Sequence, residues 1–263
     1  MAGLEPVVAV ALVLLGLAAG VGITAVGPGG VLITVGLFAF TDLTPAQVAG
    51  TAIVTNVATG LAGTAVYTRS GQLRDPATRR TAVLLAAGAV AGTPLGVAAN
   101  GLVEGRVFGM LLGAFVALTA ALVLWRRPAA APNGGSDGAP APAATGIGVP
   151  TAVAVGTGVA AVGAMFGVGG PLLSVPLLVA LGTPVLAALA AAQAQSVVIA
   201  GIGTAGYVAA GAVDWRLAAL MGVPELAGVL AGWMIARAVP AAALKATLVV
   251  CLLVLAPYVA LHG

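Results

Sequence analysis

The chain has 263 residues, of which 61% are hydrophobic and 6% charged, with a net charge of +3 and a mean hydropathy of +1.17. A water-soluble domain carries about a quarter charged residues, so this composition excludes a soluble globular protein and predicts an integral membrane protein. The ten basic residues are scattered and form no continuous stripe, which argues against a nucleic-acid partner and leaves the lipid bilayer as the main environment.

Charged residues divide the first half into hydrophobic segments, because a charge at a helix centre costs about 2.5–3.5 kcal/mol and is displaced to the ends of spans. The uncharged run between Glu5 and Asp42 is too long for one crossing of about 20 residues, and glycines at positions 27, 29 and 30 break it. The predicted segments are 7–26, a short segment 31–40, then 45–68, 81–100 and 107–125. A basic loop separates the third segment from the fourth.

Residues 128–150 are rich in Pro, Gly and Ala without periodicity and are typical of a flexible linker. The second half then repeats the pattern of the first. Its predicted segments are 151–166, a short segment 172–181 after a second glycine break, then 185–210, 217–236 and 246–261. The predicted organisation is a first transmembrane repeat at 1–127, the linker at 128–150 and a second repeat at 151–263.

One offset of 140 residues relates the two halves. It places the first glycine break on the second and carries the Gly-Thr-Ala run 63–65 onto 203–205, Tyr67 onto Tyr207 and Gly88 onto Gly228. Because these matches share a single register, we interpret them as an internal duplication.

The distribution of Lys and Arg bears on orientation, since cytoplasmic loops carry an excess of basic residues. If the short segments cross the membrane, each half has five spans and the second repeat is inverted relative to the first. If they are re-entrant, each half has four crossings and the repeats are parallel. The inverted arrangement leaves only Arg106 and Arg216 of the ten basic residues outside and is therefore favoured. The fold prediction is an all-α polytopic membrane protein with two inverted repeats of five segments.

The two glycine breaks are the strongest candidates for a functional site. Non-helical backbone at membrane depth is tolerated only where protein buries it or a polar cavity solvates it, and the helix that follows presents free N–H groups and a positive dipole. Discontinuous helices at matching positions of two repeats are typical of a transporter's substrate site. The alternative is that the glycines serve close helix packing or tight surface loops. The candidate backbone residues are Gly27, Gly29, Gly30, Gly167, Gly169 and Gly170.

Polar side chains in the spans after the breaks are candidates to complete an anion site. Thr55, Asn56 and Thr59 can share one helix face, as can Gln193 and Ser196. The predicted binding side chains are Asn56, Gln195, Ser196 and Thr204. Alternatively, such groups hydrogen-bond to neighbouring helices.

Glu225 falls well inside the predicted span 217–236. A carboxyl group within a membrane span is by default a functional hypothesis, here a proton-coupling site. Water entering near Pro224, or pairing with an arginine at a helix end, is the alternative.

The residues also resemble a known family. The glycine-rich run 26–30, the TPAQVAGT stretch 44–51, the span 56–67, the Gly-Gln-Leu of 71–73 and the FGVGGP stretch 166–171 are similar to those of the TauE/SafE sulfite-exporter permeases. The resemblance covers nearly the whole chain except the linker. It implies passage of sulfur-containing anions, such as sulfite or sulfonates, across the cell membrane.

The sequence therefore predicts a multi-pass transporter in the cell membrane that moves a small anionic substrate by alternating access between its repeats. A channel is the first alternative, and the sequence leaves open whether the protein forms a homo-oligomer. An intramembrane enzyme is disfavoured, because there is no HExxH motif and the single histidine, His262, lies at the end of the chain. Neither a metal nor a cofactor is expected.

Overall fold

The computed structural model describes residues 5–25, 29–125 and 147–238, together with the pairs 249–250, 253–254 and 256–257. Within these ranges the chain forms nine α-helices and no strand. They are α1 (Pro6–Ala25), α2 (Val31–Phe40), α3 (Pro45–Arg69), α4 (Pro76–Asn100), α5 (Gly105–Trp125), α6 (Val149–Phe166), α7 (Pro171–Ala180), α8 (Val185–Ala209) and α9 (Trp215–Ala238). Most of the predicted linker and of the last predicted segment, 246–261, lies outside the described residues, although the three pairs just named are helical.

Where the structure describes them, the predicted segments agree with the observed helices to within two residues, except at the start of α4. This helix begins at Pro76 rather than residue 81, because Asp75 caps it by accepting hydrogen bonds from the backbone N–H of Thr78 (2.8 Å) and its hydroxyl (2.7 Å). These bonds stabilise the ionised carboxylate and hold the pKa of Asp75 below its ordinary value. Arg79 and Arg80 consequently belong to α4 and not to a loop.

Five of the described helices, α1, α3, α4, α6 and α8, are long and apolar enough to cross a membrane. The short helices α2 and α7 have ten residues each, or about 15 Å at a rise of 1.5 Å per residue. That is about half the thickness of the hydrocarbon core, so neither helix is long enough to cross it alone.

Glycines allow two pairs of helices, α1 with α9 and α4 with α6, to pack with their backbones in close contact. A Cβ on Gly20 of α1 would lie 2.0 Å from the carbonyl oxygen of Glu225 in α9, and a Cβ on Gly92 of α4 would lie 2.1 Å from that of Thr157 in α6. Backbones that approach so closely tolerate only glycine at the contact, as is common between membrane helices. The first helix of each half thus packs against the fourth helix of the other half.

The opposite face of α1 shows how the bundle meets lipid. Val7, Val10, Leu14 and Leu17 follow helical spacing and are exposed, whereas Leu12 on the inner face is fully buried. In water such a stripe would be unfavourable, and in a bilayer it is the expected outer surface.

The long helices α3 and α8 pack against each other in the interior. Asn56 is the twelfth of 25 residues in α3, and Ser196 is the twelfth of 25 in α8. The contact between these helices therefore brings together side chains at the midpoint of both.

Candidate functional site

The second glycine break begins where α6 ends in a left-handed turn. Gly167 has φ +71°, the N–H of Val168 donates to the carbonyl of Gly163 (2.7 Å), and the N–H of Gly167 donates to that of Ala164 (3.2 Å). This pattern is the Schellman motif, which favours glycine at the left-handed position. A Cβ at residue 167 would also lie 2.3 Å from the carbonyl oxygen of Ala49, so both conformation and space exclude a side chain.

The last four carbonyls before and at this turn each accept a hydrogen bond from a side chain of a different helix. The donors and acceptors are Tyr207 of α8 to Ala164 (2.9 Å), Asn100 of α4 to Met165 (2.7 Å), Thr34 of α2 to Phe166 (2.9 Å) and Asn56 of α3 to Gly167 (3.1 Å). An unpaired carbonyl inside a membrane costs several kcal/mol. These bonds therefore anchor the second break, and three of the four donors come from the first half.

Two short helices start at the breaks without a side-chain cap. Gly30 precedes α2 and Gly170 precedes α7, and neither N-cap supplies a side-chain hydrogen bond. In α2 two N–H groups of the first turn already have acceptors, since Leu32 donates to the carbonyl of Gly29 (3.0 Å) and Ile33 to that of Gly30 (3.3 Å). The helix dipole adds about half a positive charge at each helix start. In α7 one donor of the first turn is missing because Pro171 has no N–H.

The two breaks border one cavity. Its lining includes Gly30 from the first break and Gly169 from the second, and its volume is about 20 Å³, enough for about one water molecule. Its polar side chains are those of Asn56, Thr59, Gln193 and Ser196. The structure thus brings both breaks to the midpoint of α3 and α8, as the sequence predicts for a shared site.

Asn56 joins the two breaks, although its amide nitrogen does not face a ligand. Its Nδ2 donates to the carbonyl of Ala52 and to that of Gly167, both at 3.1 Å. Its Oδ1 lies 3.2 Å from the position a Cβ would take at Gly30 and 3.3 Å from that position at Gly169. Two carbonyl acceptors fix the amide orientation, so in this conformation Asn56 positions the turns and does not donate to an anion.

Ser196 and Gln193 are the side chains with hydrogen-bonding capacity left over. Only 3% of Ser196 and 8% of Gln193 is exposed, both line the cavity, and neither has a side-chain hydrogen bond within the described part of the chain. The Oγ of Ser196 lies 2.7 Å from the position of a Cβ at Gly169. Both side chains can therefore donate or accept a hydrogen bond inside the cavity.

The cavity lining contains no ionisable side chain. Its positive potential comes from the two helix starts, which together amount to about one elementary charge.

Several predicted site residues lie outside the cavity lining. Gln195 is fully buried, its Nε2 donates to the carbonyl of Gly156 (3.1 Å) and its Oε1 accepts from the Ser174 hydroxyl. Thr204 has a buried hydroxyl with no partner among the described residues, but it is not part of the lining. Gln195 therefore ties α8 to α6 and α7.

The remaining glycines shape the breaks without lining the cavity. Gly29 packs on α1, where a Cβ would lie 2.1 Å from the carbonyl oxygen of Ala19. At Gly170 a Cβ would lie 3.2 Å from the carbonyl oxygen of Ala192. Gly27 lies outside the described residues.

Sequence reasoning did not identify Thr34, Asn100 and Tyr207 as donors to the end of α6. Asn100 ends a predicted segment and Tyr207 matches Tyr67 across the repeats, which marks both as unusual. Neither signal says which carbonyl such a side chain reaches, because that depends on how the helices pack.

Comparison with known proteins gives one match. A model of the family described as sulfite exporter TauE/SafE matches residues 12–259. No curated protein and no solved structure matches the chain. Among the described residues there is no group of three or more His, Cys, Asp or Glu side chains that could hold a metal ion.

Proposed function

The chain belongs to the sulfite exporter TauE/SafE family, and on this basis we propose that it is a secondary transporter of small, monovalent sulfur oxyanions and sulfonates in the cell membrane. The observation that carries the proposal is the cavity shared by two helix starts that have no side-chain cap, one from each half of the chain. In this proposal the positive ends of the two helix dipoles attract the anion, and Ser196 and Gln193 hydrogen-bond to it.

The helix bounds support two homologous repeats, 1–127 and 151–263. The offset of 140 residues carries α2 onto α7 and α3 onto α8 without a shift at either end. It also exchanges the α1–α9 packing with the α4–α6 packing. Gly88 in α4 and its counterpart Gly228 in α9 both contact backbone of the first helix of the other half. We infer from this exchange that the repeats are related by a pseudo-two-fold axis, and we propose the inverted arrangement that the distribution of Lys and Arg favours.

These packings also define the bodies that move in alternating access. Since α1 is locked to α9 and α4 to α6 by glycine contacts between backbones, each moving body contains helices of both repeats. The boundary between the bodies runs along the α3–α8 contact, where the cavity lies. At about 20 Å³ the cavity must widen to admit a sulfur oxyanion, and separation of α3 from α8 provides that space.

The substrate class follows from charge. Two helix starts supply about one positive charge, which matches a monovalent sulfonate or hydrogensulfite. A divalent anion such as sulfate would keep one uncompensated charge in a site of low dielectric, which is strongly unfavourable.

The test is flux in proteoliposomes with radiolabelled sulfite, methanesulfonate, thiosulfate, sulfate and chloride. We expect saturable uptake of sulfite and methanesulfonate. Uptake should be faster when the same anion is present inside, because the binding site of a carrier must face outward again after each transport step and the internal anion can occupy it on the way back. Sulfate and thiosulfate should compete poorly. Protein-free liposomes are the control for leak.

Unitary currents in electrical recordings would show that the protein is a channel and not a carrier. Absence of flux for every anion would overturn the proposal.

A further inference from the structure

One buried acid in α9 has no role in the cavity. Glu225 is fully buried, and the Thr55 side chain of α3 approaches its carboxyl group, although neither oxygen has a hydrogen bond of good geometry within the described part of the chain. An ionised carboxylate without a partner in a low-dielectric interior is unfavourable by so much that the group takes up a proton instead. Burial without a facing charge therefore favours the neutral form of the Glu225 side chain.

No described charge lies close enough to neutralise this carboxyl. Helix α1 contains no ionisable residue. In α3 the ionisable residues are Tyr67 and Arg69, about 18 Å and 21 Å along the helix from Thr55, the α3 residue beside Gly222. In α9 they are Arg216 and Arg237, about 13 Å and 18 Å along the axis from Glu225.

The duplicated unit shows that packing alone does not require an acid here. The offset of 140 residues places Leu85 of α4 at the position of Glu225, and Leu85 is also fully buried. At both positions a glycine of the neighbouring helix packs against the backbone. Gly156 contacts the backbone of Leu85, and Gly20 contacts that of Glu225. An apolar side chain thus fills the equivalent place in the other repeat.

Glu225 and the anion cavity share two walls. Helix α1 contacts Glu225 through Gly20 and lines the cavity through Ile23, one turn further along. Helix α3 places Thr55 beside Gly222, one turn before Glu225, and the adjacent Asn56 in the cavity. A movement of α3 that opens the cavity therefore also changes the surroundings of the carboxyl group.

We propose that Glu225 binds and releases one proton in each transport cycle, so that anion movement is coupled to proton movement. This proposal rests on the proposed transport function. In the occluded conformation the carboxyl group keeps its proton. When α3 separates from α9 and water reaches the group, its O–H bond breaks, the electron pair stays on the carboxylate and the proton passes to water.

The experiment uses methanesulfonate in proteoliposomes, because this sulfonate neither takes up nor releases a proton near neutral pH. We expect a pH gradient to concentrate methanesulfonate through the wild-type protein, and a trapped pH-sensitive dye to report protons moving with it. Glu225→Gln should keep methanesulfonate exchange but lose both the accumulation and the dye signal. Glu225→Leu, which copies Leu85, should do the same with undiminished thermal stability.

Three results would overturn the proposal. The first is wild-type exchange that neither responds to a pH gradient nor moves protons. The second is a Glu225→Gln variant in which methanesulfonate movement is still coupled to proton movement. The third is loss of methanesulfonate exchange in both variants, which would assign Glu225 to substrate binding. Absence of methanesulfonate exchange in the wild type would instead refute the transport function and this proposal with it.

Discussion

Replacing Gly169 by alanine is expected to reduce sulfite transport by about 10- to 100-fold while the protein still folds. The new methyl group would lie 2.7 Å from Ser196 Oγ and 3.3 Å from Asn56 Oδ1, so it occupies the cavity and turns the serine hydroxyl away. A hydrogen bond to a charged ligand is worth about 1.5–3 kcal/mol, and 1.4 kcal/mol corresponds to about tenfold in binding. Initial rates of sulfite uptake and the thermal stability of the purified variant are the measurements.

Gly201→Ala is the matched control for this substitution. Gly201 lies in α8, and a Cβ there would meet nothing within 4 Å, so the same methyl group is added without entering the cavity. We expect wild-type transport and unchanged or higher stability, because alanine favours helix over glycine by about 1 kcal/mol. Equal transport rates for the two variants would show that the space beside Gly169 does not hold the substrate.

Replacing Asn56 by aspartate is expected to weaken sulfite binding by about 100- to 1000-fold. The substitution keeps the shape of the side chain but removes the amide donor that holds the carbonyl of Gly167. It also places a carboxylate at the cavity, where the positive ends of two helix dipoles favour the ionised form. Two like charges 4 Å apart repel by about 4 kcal/mol at an effective dielectric constant of 20. Binding is measured by calorimetry or by sulfite-dependent thermal stabilisation.

Asn100→Asp separates the site effect from the loss of a helix-end hydrogen bond. Asn100 donates to the carbonyl of Met165 as Asn56 does to that of Gly167, but it is not part of the cavity lining. Both variants should lose about 1–3 kcal/mol of stability from an orphaned carbonyl. Only Asn56→Asp should lose sulfite binding. A similar loss of sulfite binding in both variants would show that Asn56 has only a structural role.

The positions of the helices follow from the sequence because two simple signals set them. Charges are too costly at membrane depth to lie within a span, which places the ends of most helices, and glycines interrupt the first and second segments of each half. The bounds of α2 and α3 recur in α7 and α8 for the same reason. The early start of α4 was missed, since the cap at Asp75 outweighs the cost of basic residues that lie near an end.

The pairing of helices could not be predicted. The glycines at positions 20 and 92 indicate that another helix packs closely there. They do not indicate which helix, because any helix without a bulky side chain at the contact could fit. The choice of α9 for α1 and α6 for α4 arises from the packing of the whole bundle. The donors that fix the end of α6 were missed for the same reason, because they come from four separate helices.

The side chains that line the cavity were predicted only in part. Ser196 and the two breaks meet as expected, whereas Gln193 lines the cavity and Gln195 does not. These glutamines are two residues apart and point to nearly opposite faces of α8. In a soluble helix the polar face would identify the exposed side, but α8 is apolar around its whole circumference, so its rotation is set by contacts that the sequence does not reveal.

The central claim is that the two glycine breaks hold one anion between them. Selenite is a close chemical analogue of sulfite, and its selenium atom gives an anomalous X-ray signal. A crystal structure of the protein with selenite should show one anomalous peak between Gly30 and Gly169, with its oxygens within hydrogen-bond distance of Ser196. A peak elsewhere, or none at a concentration that saturates transport, would contradict the account.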